Sequence, residues 1–137
     1  MTPFGTRLRE LRRARAVALK RMAADLQLSP AYLSALEHGH RGRPTPALVV
    51  QICEYFHLIW DDYEEMHRLA ALSQPRVVVD TSGLSPRATE LANLLALHVA
   101  RLDDAAVERM IGEIGKAAAA SPPRPRLVRP RRRARRT

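Results

Sequence analysis

Cysteine is all but missing from this sequence: Cys53 stands alone among 137 residues. That excludes an intramolecular disulfide, and no metal-ligand cluster accompanies it. Aromatic residues are only 4% of the chain against 46% hydrophobic residues overall, so any core must be built from Leu, Val, Ile, Met and Ala. Runs of β-branched residues are scarce too, with Val77-Val78-Val79 as the exception, which favours helices over sheets. No apolar run reaches the roughly 18 residues that a membrane span needs, and the start lacks the apolar stretch of a signal peptide. A cytoplasmic location is therefore the expectation.

Charge is plentiful and unevenly placed. Residues 1–43 hold nine Lys/Arg against three Asp/Glu, residues 44–120 six against eleven, and residues 121–137 eight Arg with no acid. The segments thus carry +6, −5 and +8, which gives the overall +9. A basic head and a basic tail around an acidic middle point to a polyanionic partner at one or both ends.

Five hydroxyl–proline pairs punctuate the chain; Ser121-Pro122, followed by more Pro and Arg, reads as an end of structure, which leaves Thr2-Pro3, Ser29-Pro30, Thr45-Pro46 and Ser85-Pro86. A hydroxyl at the N-cap accepts a bond from a free helical N–H, and proline at the next position has no N–H to lose. Each of these four pairs is read as a helix start. Apolar spacing then predicts helices over about 4–15, 19–26, from Pro30 to a stop at Gly39, from Pro46, and 60–72. Residues 1–73 form one domain in this reading. Residues 74–84 are a linker, with room for a short strand at Val77–Val79. Two further helices, about 86–102 and 104–119, make a module over residues 85–120. Their stripes are Ala88, Leu91, Leu95, His98 and Leu102 on one, and Val107, Met110, Ile111, Ile114 and Ala118 on the other; the two are expected to pair. Residues 121–137, rich in Pro and Arg, have too few apolar residues to fold alone and read as a disordered tail.

The segment richest in information runs Leu8-Arg9-Glu10-Leu11-Arg12, Met22-Ala23, Leu28-Ser29-Pro30-Ala31-Tyr32-Leu33-Ser34, Leu36-Glu37-His38-Gly39. Two short helices meet at a tight turn, and the second opens with a cap and a polar face. That arrangement suits insertion of the second helix into a major groove. The stretch resembles the Cro/C1-type (Xre) helix-turn-helix family, whose fold is a five-helix bundle. The fold expected is therefore all-α: a five-helix Cro/C1-type domain, a C-terminal helical pair and a basic tail. The resemblance implies an ion pair between Arg12 and Glu37, and double-stranded DNA as the partner. It places base-reading positions at Pro30, Ala31 and Ala35, with Ser29, Tyr32 and Ser34 nearby. The family's phosphate-gripping glutamine is Leu19 here, so the adjacent Lys20, with Arg21, is the expected substitute contact; His38, His40, Arg41 and Arg43 lie in the loop after the third helix, where matching family positions contact phosphates or reach a minor groove, Arg41 and Arg43 foremost. The sequence departs from the family where glycines are usual, with Ala16 after the first helix and Gln27 in the turn; Ala18 and Leu19 replace the usual cap and glutamine of the second helix. Alanines touch thymine methyls but make no Arg–guanine or Gln–adenine pair, so specificity leans on methyl contacts, DNA shape and the arginine loop.

Other titratable residues carry less. His57, His67 and His98 read as satisfied structural histidines, Cys53 as a small buried hydrophobe, and Asp61, Asp62, Glu64 and Glu65 as a solvated face that also complements a helix N-terminus. No catalytic constellation or cofactor site emerges, so a non-enzyme is expected. Leu94 and Leu97 fall outside the stripe of the sixth helix. With Leu91, Leu95, Met110 and Ile114 they make the expected homodimer surface. Repression is what the family implies, and a protein antagonist is one route to its control. Two rival classes stay open: an antitoxin or adaptor that mainly binds a protein, and a sequence-tolerant nucleoid or RNA-binding protein driven by the tail.

Overall fold

Each of the four hydroxyl–proline pairs does open a helix. A computed structural model of the chain describes residues 1–121, and all regular structure among them is helical, with no strand. The helices are α1 (Pro3–Ala14), α2 (Leu19–Asp25), α3 (Pro30–His38), α4 (Pro46–Tyr55), α5 (Trp60–Ala71), α6 (Pro86–His98) and α7 (Asp104–Ala120), with one 3₁₀ turn at Val99–Arg101. Thr2, Ser29, Thr45 and Ser85 each accept the N–H three residues on, at 3.0, 3.0, 3.2 and 3.3 Å. The proline that follows each cap fills the first helical position. At the other end of α3, Gly39 takes a left-handed conformation, φ 82°, which glycine adopts without a Cβ penalty.

The chain divides into two compact units, Met1–Val78 and Val79 onward. In the first, α1 packs on α3 and α5, α2 on α3, and α4 on α5. Their apolar faces meet in one core: Phe4, Leu8 and Leu11 of α1, Met22 and Ala23 of α2, Leu33 and Leu36 of α3, Leu48, Val49, Ile52 and Cys53 of α4, and Met66 and Ala70 of α5, with Phe56 just after α4. Burying each large side chain contributes about 1.5–3 kcal/mol, so short helices that are marginal alone hold together as a set. Cys53 is part of this core, and burial pushes its thiol pKa up.

Two close approaches fix how α1 sits. Gly5 lies against the end of α3, where an added Cβ would overlap the Glu37 carbonyl oxygen and stand 2.6 Å from its carbon. Ser73, just after α5, is buried; its Oγ accepts the Phe4 N–H at 2.9 Å and donates to the Leu69 carbonyl at 2.5 Å. One of α1's unpaired N–H groups is thereby satisfied from the far end of the unit. The unit also takes in residues 74–78, which composition reads as linker. Val77, Val78 and Val79 are exposed and pair with no neighbouring strand.

The second unit departs from expectation in two ways. Helix α6 ends at His98 rather than near Leu102. Asp103 caps α7 by accepting the Ala106 N–H at 2.7 Å, and the cap needs extended backbone, which Leu102 and Asp103 adopt; the 3₁₀ turn absorbs the change. Second, α6 and α7 do not bury their stripes on each other. Neither helix contains a buried residue. Leu91 is 66%, Leu97 72% and Ile114 64% exposed. A pair of helices this small has too little surface to make a core of its own, so among the described residues of this unit the apolar stripes stay exposed. The expected disorder of the tail concerns residues that, after Ser121, lie outside those described.

Candidate nucleic-acid interface

The brace behind α3 is a buried carboxylate. Glu37 has a fully buried side chain, and Arg12 closes on it with two bonds, Nε to Oε1 at 2.6 Å and Nη2 to Oε2 at 3.1 Å. Arg12 Nη1 also donates to the Val17 carbonyl at 3.2 Å, and Arg9 stands 3.9 Å from Glu37 on its outer side. A charge-assisted fork of this kind fixes direction as well as distance. It ties α1, the α1–α2 connection and the last turn of α3 together, so the opening turn of α3 projects from a rigid base.

That opening turn is exposed. Ser29, Pro30 and Ala31 face solvent, and Ser34 and Ala35 are half-buried one turn later. Ser29 spends one lone pair on the cap bond to Tyr32 N–H. Tyr32 is half-buried and packs against the core, so its ring is partly engaged from below. Lys20 stands exposed in the first turn of α2. On the far side of α3, His38, His40, Arg41 and Arg43 are all exposed. His38 Nδ1 lies 2.8 Å from the Ser34 carbonyl, and its ring stacks on that of His40 with centroids 6.2 Å apart. Among the described residues, Lys20, Arg41 and Arg43 are in no ion pair. Arg21 differs: its Nε sits 3.2 Å from Asp25 Oδ2, one turn on.

Asp25 belongs to a network that carries no signal in the sequence. The Tyr55 hydroxyl donates to its Oδ2 at 2.7 Å, joining α2 to α4. That hydrogen bond, followed by Arg21, holds the Asp25 carboxyl below the usual range, and the same bond raises the Tyr55 hydroxyl. The link is complete at neutral pH and loosens as acid protonates Asp25 through its lowered value. Arg15 likewise has no such signal; its Nη2 donates to the Phe56 carbonyl at 2.8 Å and so caps the end of α4. Neither interaction has a local spacing signal, because each joins residues at least 30 apart in the chain.

The turn between α2 and α3 stores strain. Gln27 has φ 57°, which lets Leu28 N–H reach the Ala23 carbonyl at 2.8 Å. Ala16, after α1, has φ 51°. Left-handed backbone costs a side-chain-bearing residue about 1–2 kcal/mol, part of which glycine returns through its freer unfolded state. Gln27→Gly is thus expected to raise stability by roughly 0.5–1 kcal/mol, seen as a melting temperature a few degrees higher; a lower one would refute the strain.

The remaining titratable groups divide. Asp61 and Asp62 lie exposed in the first turn of α5, and Glu65 pairs with Arg68 at 2.7 Å, which lowers the carboxyl. His57 and His98 are exposed. His67 is not the satisfied histidine expected: its Nε2 is buried without a hydrogen-bond partner, while its ring lies 4.5 Å from that of Tyr63. Among the described residues, no three His, Cys, Asp or Glu gather as metal ligands, and no helix is long and apolar enough to cross a membrane.

The helix-turn-helix domain family matches residues 3–65. The chain is also 44% identical over 52 residues to the uncharacterized HTH-type transcriptional regulator RghRB of Bacillus subtilis (strain 168), a match that covers 38% of this chain and 37% of that protein. No solved structure matches.

Proposed function

We propose that this chain, whose residues 3–65 are a helix-turn-helix domain, is a sequence-specific DNA-binding regulator of transcription of the Cro/C1 type. The observation that carries the reading is the exposed, capped opening turn of α3, braced by the buried Arg12–Glu37 pair and flanked by unpaired Lys20, Arg41 and Arg43. Helix α3 enters the major groove, where Ala31, Ser34 and Ala35 meet base edges and methyl groups. Lys20, Ser29, Tyr32, His38, His40, Arg41 and Arg43 hold the flanking phosphates. Arg21 joins them only on leaving Asp25, so its contribution is the smallest of the set.

Residues 85–120 build a homodimer. The apolar faces of α6 and α7, with Leu91, Leu94, Leu95, Leu97, Met110 and Ile114 all at least 45% exposed, are covered by those of a second copy. A two-fold dimer reads an inverted repeat with half-sites one helical turn apart. Bound across a promoter, it represses by occlusion. The eight arginines of residues 121–137 add a salt-dependent term that carries no sequence information.

The test separates reading from mere attraction. A chain ending at residue 120 is expected to keep its preference for one site, with a shallower dependence of affinity on salt. Lys20→Gln weakens binding to every sequence alike and reduces the salt slope by about 0.9. Loss of all preference on removing the tail would favour the sequence-tolerant alternative instead. A protein partner as main target is the reading favoured by one separate feature, Trp60 and Ile59 at the opening of α5, which are 82% and 65% exposed. It predicts a regulator that binds its site only weakly when purified alone.

A further inference from the structure

Residues just after α5 return to the loop that follows α3. The Gln74 side-chain oxygen accepts the Arg43 N–H at 3.3 Å. Gly42, at φ 72°, lies so close that an added Cβ would stand 3.3 Å from that same oxygen. The two segments enclose an open cleft of about 540 Å³, lined by Gly39, His40, Arg41, Gly42, Gln74 and Arg76 among others. Among the described residues, no acidic one lines it. Arg41 and Arg76 are exposed, and neither is in an ion pair among the described residues. Two guanidinium groups, an imidazole and a glycine-rich backbone around one opening, with no carboxylate to neutralise them, make a site for a tetrahedral oxyanion.

Position selects which oxyanion. Helix α3 has nine residues and so spans about 13 Å, close to the roughly 12 Å width of the major groove. With its opening turn at the base edges, the cleft beyond Gly39 falls at the groove's rim, where the phosphates lie. We infer that Arg76, acting with Arg41, clamps one backbone phosphate of the bound DNA duplex in this cleft. Gln74 is a positioning residue, since it holds the loop at the Arg43 N–H and does not itself reach the phosphate. The clamp draws on the chain segment that leads out of the helix-turn-helix unit, a segment that composition alone reads as spacer.

The inference rests on the DNA-binding reading, and the experiment keeps the two apart. Full-length wild type, Arg76→Gln, Gln74→Ala and Lys20→Gln are titrated on the preferred duplex and on a scrambled one, over a range of salt concentrations. Arg76→Gln is expected to weaken both duplexes by the same factor, roughly threefold or more, and to reduce the salt slope by about 0.9. Gln74→Ala is expected to weaken binding without changing that slope, because it removes no charge. Wild-type affinity and slope in Arg76→Gln, beside a weakened Lys20→Gln, would overturn the clamp and leave the DNA reading intact. Wild type with no preference between the duplexes would overturn both. Inorganic phosphate provides the remaining arm: if it raised the melting temperature of wild type but not of Arg76→Gln at millimolar concentration, the cleft would be a free-anion site and the backbone clamp would be wrong.

Discussion

Glu37→Ala is expected to cost about 3–5 kcal/mol of stability, and with it most of the first unit's thermal resistance. The carboxylate is wholly buried and, among the described residues, is the only acid that Arg12 meets, while Arg12 is itself 12% exposed. Removing the acid leaves a guanidinium enclosed with one remaining bond, to the Val17 carbonyl. For a unit of this size each kcal/mol moves the melting temperature by about 4–8 °C, so a fall of more than about 12 °C is the expected result. Arg12→Ala fares no better, since Arg9 stands too far out at 3.9 Å to replace the lost fork. Arg12→Lys retains charge but loses the two-pronged geometry. The informative comparison is Arg12→Met combined with Glu37→Leu: it removes both charges and is expected to recover much of what either truncation loses. A Glu37→Ala protein that melts with wild type would show that the pair does not brace α3.

The second large effect concerns the dimer. Leu94→Asp together with Leu97→Asp is expected to leave a monomer. In the proposed dimer, two-fold symmetry would put four of these leucines in one interface, each contributing about 1.5–3 kcal/mol when covered, and an aspartate in their place would bring unpaired charge into an apolar contact. The monomer retains an intact helix-turn-helix unit, so it still meets a half-site. It loses the gain from linking two half-sites, about a hundredfold or more in affinity. Sedimentation velocity reads the first effect and titration of an inverted repeat the second. Lys116→Gln, on the same module but outside the six leucine, methionine and isoleucine positions, serves as the control. A double aspartate variant that still sediments as a dimer would remove Leu94 and Leu97 from the interface.

How far the sequence disclosed this protein depended on whether a signal was local. The helix starts were legible because a hydroxyl and a proline act on N–H groups three residues away, and Gly39 was legible as a stop because one residue carries the left-handed turn. The apolar stripes of α1 to α5 pointed to a shared core, and that core forms. The stripes of α6 and α7 carried an equally clear pattern, yet the two helices do not cover each other. A stripe states that a face must be covered and is silent on what covers it. The interactions without a local signal are those across the fold: Tyr55 on Asp25, Arg15 on the end of α4, Ser73 on α1 and Gln74 on the arginine loop. Each pairs a common polar residue with a group that only the tertiary structure brings near. Ala16 and Gln27 lie between these cases. Their places in the chain are turn places, but neither residue type advertises the positive φ it adopts.

One titration bears most directly on the account. The duplex that the full-length protein selects from genomic fragments is compared with a scrambled duplex of equal length at physiological ionic strength. Under the proposed function, with α3 reading base edges, the selected site is expected to bind at least about a thousandfold more tightly. Equal affinity for the two duplexes would contradict it.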